Sequence, residues 1–150
     1  MTEKMLVVFL DANVFFAAVS SSVGGSHFII EIAKQKKLKI VTVAYALAEA
    51  ERNIRKKLGK GALTKHYENL LVIEPIIQPL PVISDNLEKR LEEVIDKKDI
   101  PIIVGSILSC ANILITLDKK HILGNRKLLK LQMPFSIMTP GDFLKSFLKA

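Results

Sequence analysis

The sequence predicts an α/β fold built around a mainly parallel sheet, and three observations carry that expectation. Short apolar runs alternate with helical segments along the whole chain. The runs MLVVFL, LKIVTV and ILITL lack polar alternation, as strands covered on both faces do. Acidic residues stand where strands end or helices begin, and in a parallel sheet those junctions share one edge.

Residues 5–10 form the first strand. A short helix follows Asp11 and Asn13, and a second spans about Ser26 to Lys36, after a turn at Gly24 and Gly25. Phe28, Ile29, Ile32 and Ala33 supply its apolar face, and lysines close it with charge suited to the helix dipole. LKIVTV (38–43) is the second strand. A long helix runs from about Ala44 to Leu58 and stops at Gly59 and Gly61. Residues 62–73 form one more helix. Two prolines limit residues 76–83 to an edge strand or an extended connector.

Ser84 or Asp85 opens the next helix, which reaches Lys97; with Asp85 as cap, Glu88 occupies the capping-box position. Asp99 caps an apolar helix that tolerates Pro101 in its first turn. ILITL (113–117) is a buried strand, and Lys119 to Leu131 is basic and irregular in pattern. FSIM (135–138) is a last short strand, after which Thr139 caps a final helix with Pro140 at its first position.

A chain of 150 residues that is 49% hydrophobic and 25% charged is expected to form one globular domain. The mean hydropathy of +0.30 raises the question of a membrane span over residues 100–117. Gly105, Ser106, Ser109 and Asn112 interrupt that run, and its pattern changes from helix to strand partway, so no span is expected. Lys4 followed by MLVVFL imitates a signal peptide, but Asp11 and Asn13 break the apolar region early and point to a cytoplasmic protein. The single cysteine excludes an intrachain disulfide and a cysteine zinc site, and Cys110 reads as an inert core thiol. Twenty-two basic residues against 15 acidic ones give a net charge of +7. A basic protein with a small acidic focus suits a polyanionic substrate handled through a metal.

That focus consists of Asp11, Glu49, Asp99 and Asp118. Asp11 and Asp99 taken singly are ordinary helix caps, and Asp118 an ordinary turn residue. Together they would crowd one sheet edge, where like charges raise each other's pKa unless a cation intervenes. Glu51 competes with Glu49 for the helical position, because Leu47, Ile54 and Leu58 define a face nearer to Glu51. Alanines around Glu49 favour it by allowing close approach to the sheet. His27 and His66 read as partly exposed helix residues. No P-loop and no Cys/His constellation is present. Basic stretches at Arg52–Lys60 and Lys119–Lys130 flank the acids and suit phosphate contacts.

LDANVFF, the acid in ALAEAER, and DIPIIVGSILSCANILITLD together resemble the ordered acidic signature of the PIN-domain family, whose members include VapC-type toxins and RNA-processing nucleases. The resemblance covers nearly the whole chain, including the closing MTPGDFL. It implies a three-layer α/β/α sandwich and a metal-dependent endoribonuclease that is the toxin of a toxin–antitoxin pair or a housekeeping processing enzyme. Asp11, Asp99 and Asp118 would hold Mg²⁺ or Mn²⁺, since oxygen-only ligands favour hard cations. Glu49 would complete the catalytic set. Asn13, Thr116, Lys119 and Lys120 would contact water or substrate. The partners would be RNA, an antitoxin protein and a second copy of the chain, with no membrane. Two departures stand out. Gly105 and Ser106 replace alanines common in the family, and His121 lies where some members carry a further acid. Two rivals are a receiver domain, which LDANV and IIQPLP do not support because they lack its acids, and a non-catalytic RNA-binding scaffold.

Overall fold

The computed structural model describes residues 5–79 and 83–149. The elements are β1 (Leu6–Leu10), α1 (Ala12–Ser20), α2 (Gly25–Lys34), β2 (Leu38–Val43), α3 (Ala44–Lys57), α4 (Lys60–Ile73), β3 (Ile76–Gln78), α5 (Asp85–Glu92), α6 (Ile100–Leu108), β4 (Ile113–Ile115), α7 (Arg126–Lys130), β5 (Ser136–Met138) and α8 (Pro140–Lys149). A 3₁₀ turn at Lys97–Asp99 precedes α6, and a π-helical turn at Lys119–Leu123 follows β4.

All strand pairings are parallel, in the order β3-β2-β1-β4-β5. The chain moves from β1 outward to β3, then returns to the other side of β1 for β4 and β5. Right-handed crossovers in opposite directions place their helices on opposite faces. Accordingly α1, α2, α3 and α4 pack on one another, with α8 against α2, while α5 packs on α6. The order reverses between β1 and β4, which creates a crevice at the carboxyl ends of those strands.

Central position explains the all-apolar strands: Val8, Phe9 and Leu10 of β1 and Leu114 and Ile115 of β4 are fully buried. Pairing is finished by side chains where the ladder stops. Thr42 Oγ1 donates to the Leu10 carbonyl at 2.9 Å, and Asn112 Oδ1 accepts from the Val7 amide at 2.8 Å. Gly105 faces the sheet in α6, and a Cβ there would overlap Val43 Cγ1 and lie 3.0 Å from the Phe9 ring. The departure from alanine at this position is therefore a packing requirement. Its neighbour Ser106 is buried and returns its hydroxyl to the Ile102 carbonyl at 2.8 Å.

Several expectations are corrected. The helix after Ser84 ends at Glu92 rather than Lys97, and Ser84 itself is the cap, accepting from the Leu87 amide at 3.2 Å. Glu88 is therefore outside the capping-box position. Gly61 lies inside α4, and Gly59 alone breaks the chain, at φ 90°. Residues 80–82 of the expected edge segment lie outside the described residues; β3 accounts for its first part. The basic segment after Asp118 becomes the π-helical turn and α7. Phe28 is half exposed, because Ser26, Ile29, Ile30 and Ala33 form the buried face of α2. His66 is buried, edge-on to Phe15 with ring centroids 5.8 Å apart, and burial lowers its pKa. Cys110 is exposed: α6 has ended at Leu108, and the chain turns through a left-handed residue at Cys110. The 100–117 run divides between α6 and β4, and no single helix among the described residues is long and apolar enough to cross a membrane.

Gly105→Ala should lower the unfolding free energy by about 1–3 kcal/mol, the usual range for overpacking a filled core. A denaturant titration that leaves the midpoint unchanged would show that α6 can withdraw from Val43 and Phe9 without penalty.

Candidate metal centre at the sheet crevice

Asp11 leaves the central strand with its amide bonded to the Ile115 carbonyl at 3.1 Å. Its carboxylate then accepts from the Ala12 amide at 2.7 Å and from Thr116 Oγ1 at 2.8 Å. The first contact is a helix cap, as expected, but the second reaches 105 residues along the chain to the end of β4. Asn13 completes the junction, donating to Asp11 Oδ2 at 3.4 Å and accepting from the Leu117 amide at 3.0 Å. Thr116 Oγ1 also accepts from the Asp118 amide at 3.1 Å. Thr116 is fully buried, so it orients its neighbours from behind the crevice. Burial raises the Asp11 pKa to about 6, against the hydrogen bonds from Thr116 and Ala12 that pull it down; the charges of Glu49 and Asp99 push it further up.

Asp99 departs from its expected role as a side-chain cap. It enters α6 already in helical conformation (φ −94°, ψ −10°), and its side chain makes no capping bond. Pro101 removes one amide that a cap would use. Oδ2 is buried without a hydrogen-bond partner among the described residues, although the residue as a whole is only 8% exposed. Burial raises the Asp99 pKa, and Asp118 raises it further, while Lys98 and His121 act in the opposite direction.

Asp118 projects from the end of β4 into the same space. Its Oδ1 accepts from the His121 amide at 2.9 Å, and its Oδ2 lies 3.4 Å from His121 Nδ1. One ligand atom each from Asp99, Asp118 and His121 lie within 4.8 Å of one another. Glu49 joins the group from α3. Ala46, Ala50 and Ile54 form the buried face of that helix, rather than Leu47 and Leu58, and this rotation turns Glu49 toward the crevice. Glu51 points elsewhere, bonded to Tyr67 Oη at 2.6 Å and to Arg55 at 2.8 Å.

The structure thus brings Asp11, Asn13, Glu49, Asp99 and Asp118 around one cavity of about 210 Å³. Phe16, Asn53 and Lys98 share its lining and were not singled out from the sequence, whereas Lys57, also on the wall, belongs to the basic stretch expected to contact phosphate. Glu49, Asn53 and Lys57 recur every four residues, a helical period that marks one face of α3. Lys57 extends over the Phe16 ring, 5.8 Å from its centroid. Of the two expected lysines, Lys119 lines a neighbouring cavity instead, and Lys120 is exposed and lines neither.

The donor set fits a hard divalent cation. Carboxylates surround the cavity, one of their oxygens is desolvated and unpartnered, and burying charge in that way is unfavourable without a counter-charge. His121 adds a nitrogen that Mn²⁺ accepts more readily than Mg²⁺ does.

Comparison with known proteins agrees with this architecture. The PIN domain family matches residues 7–120. The fold is similar to VapBC2 from Rickettsia felis, solved bound to a DNA fragment from its promoter, with a TM-score of 0.64 and 18% identity over 89% of this chain and 98% of that one. It is also similar to Mycobacterium tuberculosis VapC20, a toxin that cleaves the sarcin-ricin loop, with a TM-score of 0.52 and 14% identity over 75% of this chain and 91% of that one. No curated protein matches the chain.

Because folding raises the Asp11 pKa from 3.8 to about 6, the folded state holds that proton more tightly than the unfolded chain does. The stability linked to Asp11 is fully present below the unfolded value and declines as pH rises through this window. At neutral pH the loss is about 3 kcal/mol in metal-free protein. Asp11→Asn in EDTA should therefore raise the melting temperature at pH 7.5, by roughly 2–4 °C per kcal/mol recovered, and should flatten the decline between pH 4 and 7. If Asp11 is merely a helix cap, melts of the two proteins will coincide at every pH, since Asn caps as well as Asp.

Proposed function

This chain belongs to the PIN-domain family, and from that premise we propose that it is a divalent-metal-dependent endoribonuclease, formed as one domain over residues 1–150. The observation that carries the reading is the buried, unpartnered Oδ2 of Asp99 at a cavity shared with Asp11, Glu49 and Asp118. A carboxylate used only as a cap would have its lone pairs occupied by amides. Asp99 and Asp118, grouped with His121, and Asp11 on the wall of the same cavity are the residues that would hold Mg²⁺ or Mn²⁺. When bound, the ion supplies Lewis acidity toward water and phosphate oxygens and neutralises charge on the phosphate during in-line attack.

The remaining roles belong to the chain itself. Thr116 and Asn13 hold the Asp11 carboxylate and the 116–118 backbone in place, which makes them positioning residues. Glu49 accepts a proton from, or orients, the attacking water. Lys57 and Lys98 stand on the cavity wall and neutralise substrate phosphate. A net charge of +7 adds sequence-independent attraction for a polyanion. Aromatic residues make up only 6% of the chain, so recognition leans on backbone and shape rather than base stacking. The likeness in fold to VapBC2 and VapC20 supports the toxin of a toxin–antitoxin pair acting on RNA, with an antitoxin protein as partner; a second copy of the chain is a further proposed partner.

Purified protein should cleave RNA with Mg²⁺ or Mn²⁺ and bind it without cleavage in Ca²⁺. Asp99→Asn should reduce cleavage by about 100-fold or more, and Glu49→Gln should reduce it severely while Glu51→Gln leaves it intact. Binding of RNA without cleavage in Mg²⁺ or Mn²⁺ would leave an RNA-binding scaffold, and equal turnover by wild type and Asp99→Asn would overturn the metal site proposed at Asp99.

A further inference from the structure

A second cavity, of about 380 Å³, opens beside the acidic one on the other side of the 116–119 loop. Asp118 lines the acidic cavity, whereas Leu117 and Lys119 line the second. Helix α1 runs past both: Asn13 faces the first and Ala17 the second, one helical turn or about 6 Å apart. The remaining walls are Ser20 and Ser21 at the end of α1 and the starts of two ten-residue helices, Gly24 to Ser26 at α2 and Thr139 to Gly141 at α8.

The start of α2 is chemically unfinished. Its N-cap is Gly24, no side chain caps it, and no acid stands in its first turn. The amides of Gly25, Ser26 and His27 therefore have no partner within the helix, and the dipole leaves positive potential there. Ser26 is only 4% exposed as a residue and lines the cavity; its hydroxyl takes no part in the side-chain hydrogen bonds among the described residues and is not one of the enclosed, unpartnered oxygens, so it opens onto the cavity. Gly25 lets α8 come close, since a Cβ there would sit 3.2 Å from Pro140 Cβ. Among the described residues no carboxylate lines the cavity, and Lys119 on its wall supplies a cation.

We propose that this cavity binds a backbone phosphate of the same RNA strand whose scissile phosphate lies in the acidic cavity. The α2 amides and the Ser26 hydroxyl donate to the phosphate oxygens, and Lys119 provides the counter-charge. This proposal rests on the ribonuclease reading for its ligand. It assigns Lys119 to a subsite one or two nucleotides from the cut.

Two measurements on the whole chain test it. Titration with inorganic phosphate, followed by amide resonances, should shift Gly25, Ser26 and His27 in the wild type. Those shifts should vanish in Ser26→Asp, which suits the first turn of a helix but places a carboxylate where the phosphate would sit. Affinity for a single-stranded oligouridylate in Ca²⁺ should fall about 3- to 10-fold in Ser26→Asp and in Lys119→Gln. In Lys119→Gln the log–log salt slope should also become shallower by about 0.7. Lys119 is exposed, so its variant remains informative if Ser26→Asp does not fold. Absence of phosphate shifts in the wild type overturns the proposal. Phosphate shifts with unchanged oligonucleotide affinity in both variants also overturn it, as a small-anion site. A wild type that binds the oligonucleotide with the expected variant effects, yet does not cleave it in Mn²⁺, would unseat the nuclease reading and leave the subsite standing.

Discussion

The contact between Thr116 Oγ1 and the Asp11 carboxylate joins the ends of the two strands between which the sheet reverses its order. From it follow the start of α1, the position of Asn13, and the path of the 116–118 backbone. A neutral pair could serve the same architectural end with less strain, because a buried carboxylate is unfavourable even when hydrogen-bonded. The retained charge is therefore a property of the site rather than of the scaffold. Stability given up at this point is recovered elsewhere, in strands buried on both faces and in the close fit of Gly105 against Val43 and Phe9.

The crevice gathers its charges in an ordered way. Carboxylates come from the ends of β1 and β4, the start of α6 and the first turns of α3, while Lys57 and Lys98 stand on the cavity wall beside them. Such an arrangement attracts a cation to the centre and a polyanion across the rim. It also separates roles that a list of polar residues would merge. Among the described residues Asp99 has an oxygen without a partner; Asp11 is bound on both oxygens; Thr116 is fully buried.

The loop after β4 extends this logic beyond the acidic cavity. Asp118 lines the acidic cavity, while Leu117 before it and Lys119, which opens the π-helical turn, line the other. A short segment thereby serves two neighbouring cavities of opposite electrostatic character. One is lined by acids, the other by helix starts and a lysine. A strand of RNA crossing both would meet a cation-holding site and a phosphate-holding site in succession.

Much of this was written in the sequence alone. Unbroken apolar runs separated by helical periods determine a parallel sheet, because such strands have no face to show to water. Acids at the ends of those runs must then gather at one edge, which is why Asp11, Glu49, Asp99 and Asp118 could be named together. What required the tertiary structure was every question of rotation and solvent exposure. Glu49 faces the crevice and Glu51 does not because α3 buries its alanines, the smallest apolar residues and the weakest hydrophobic signal on the wheel. His66 is inside and Phe28 and Cys110 outside because neighbouring elements, not local pattern, decide which surface is covered. Asp99 lost its cap role to a helical backbone entry and a proline, and only the folded chain leaves its oxygen without a donor. Local sequence sets hydrogen-bonding period and chain direction. Which polar atoms remain unpaired is decided by packing, since it depends on groups far away along the chain.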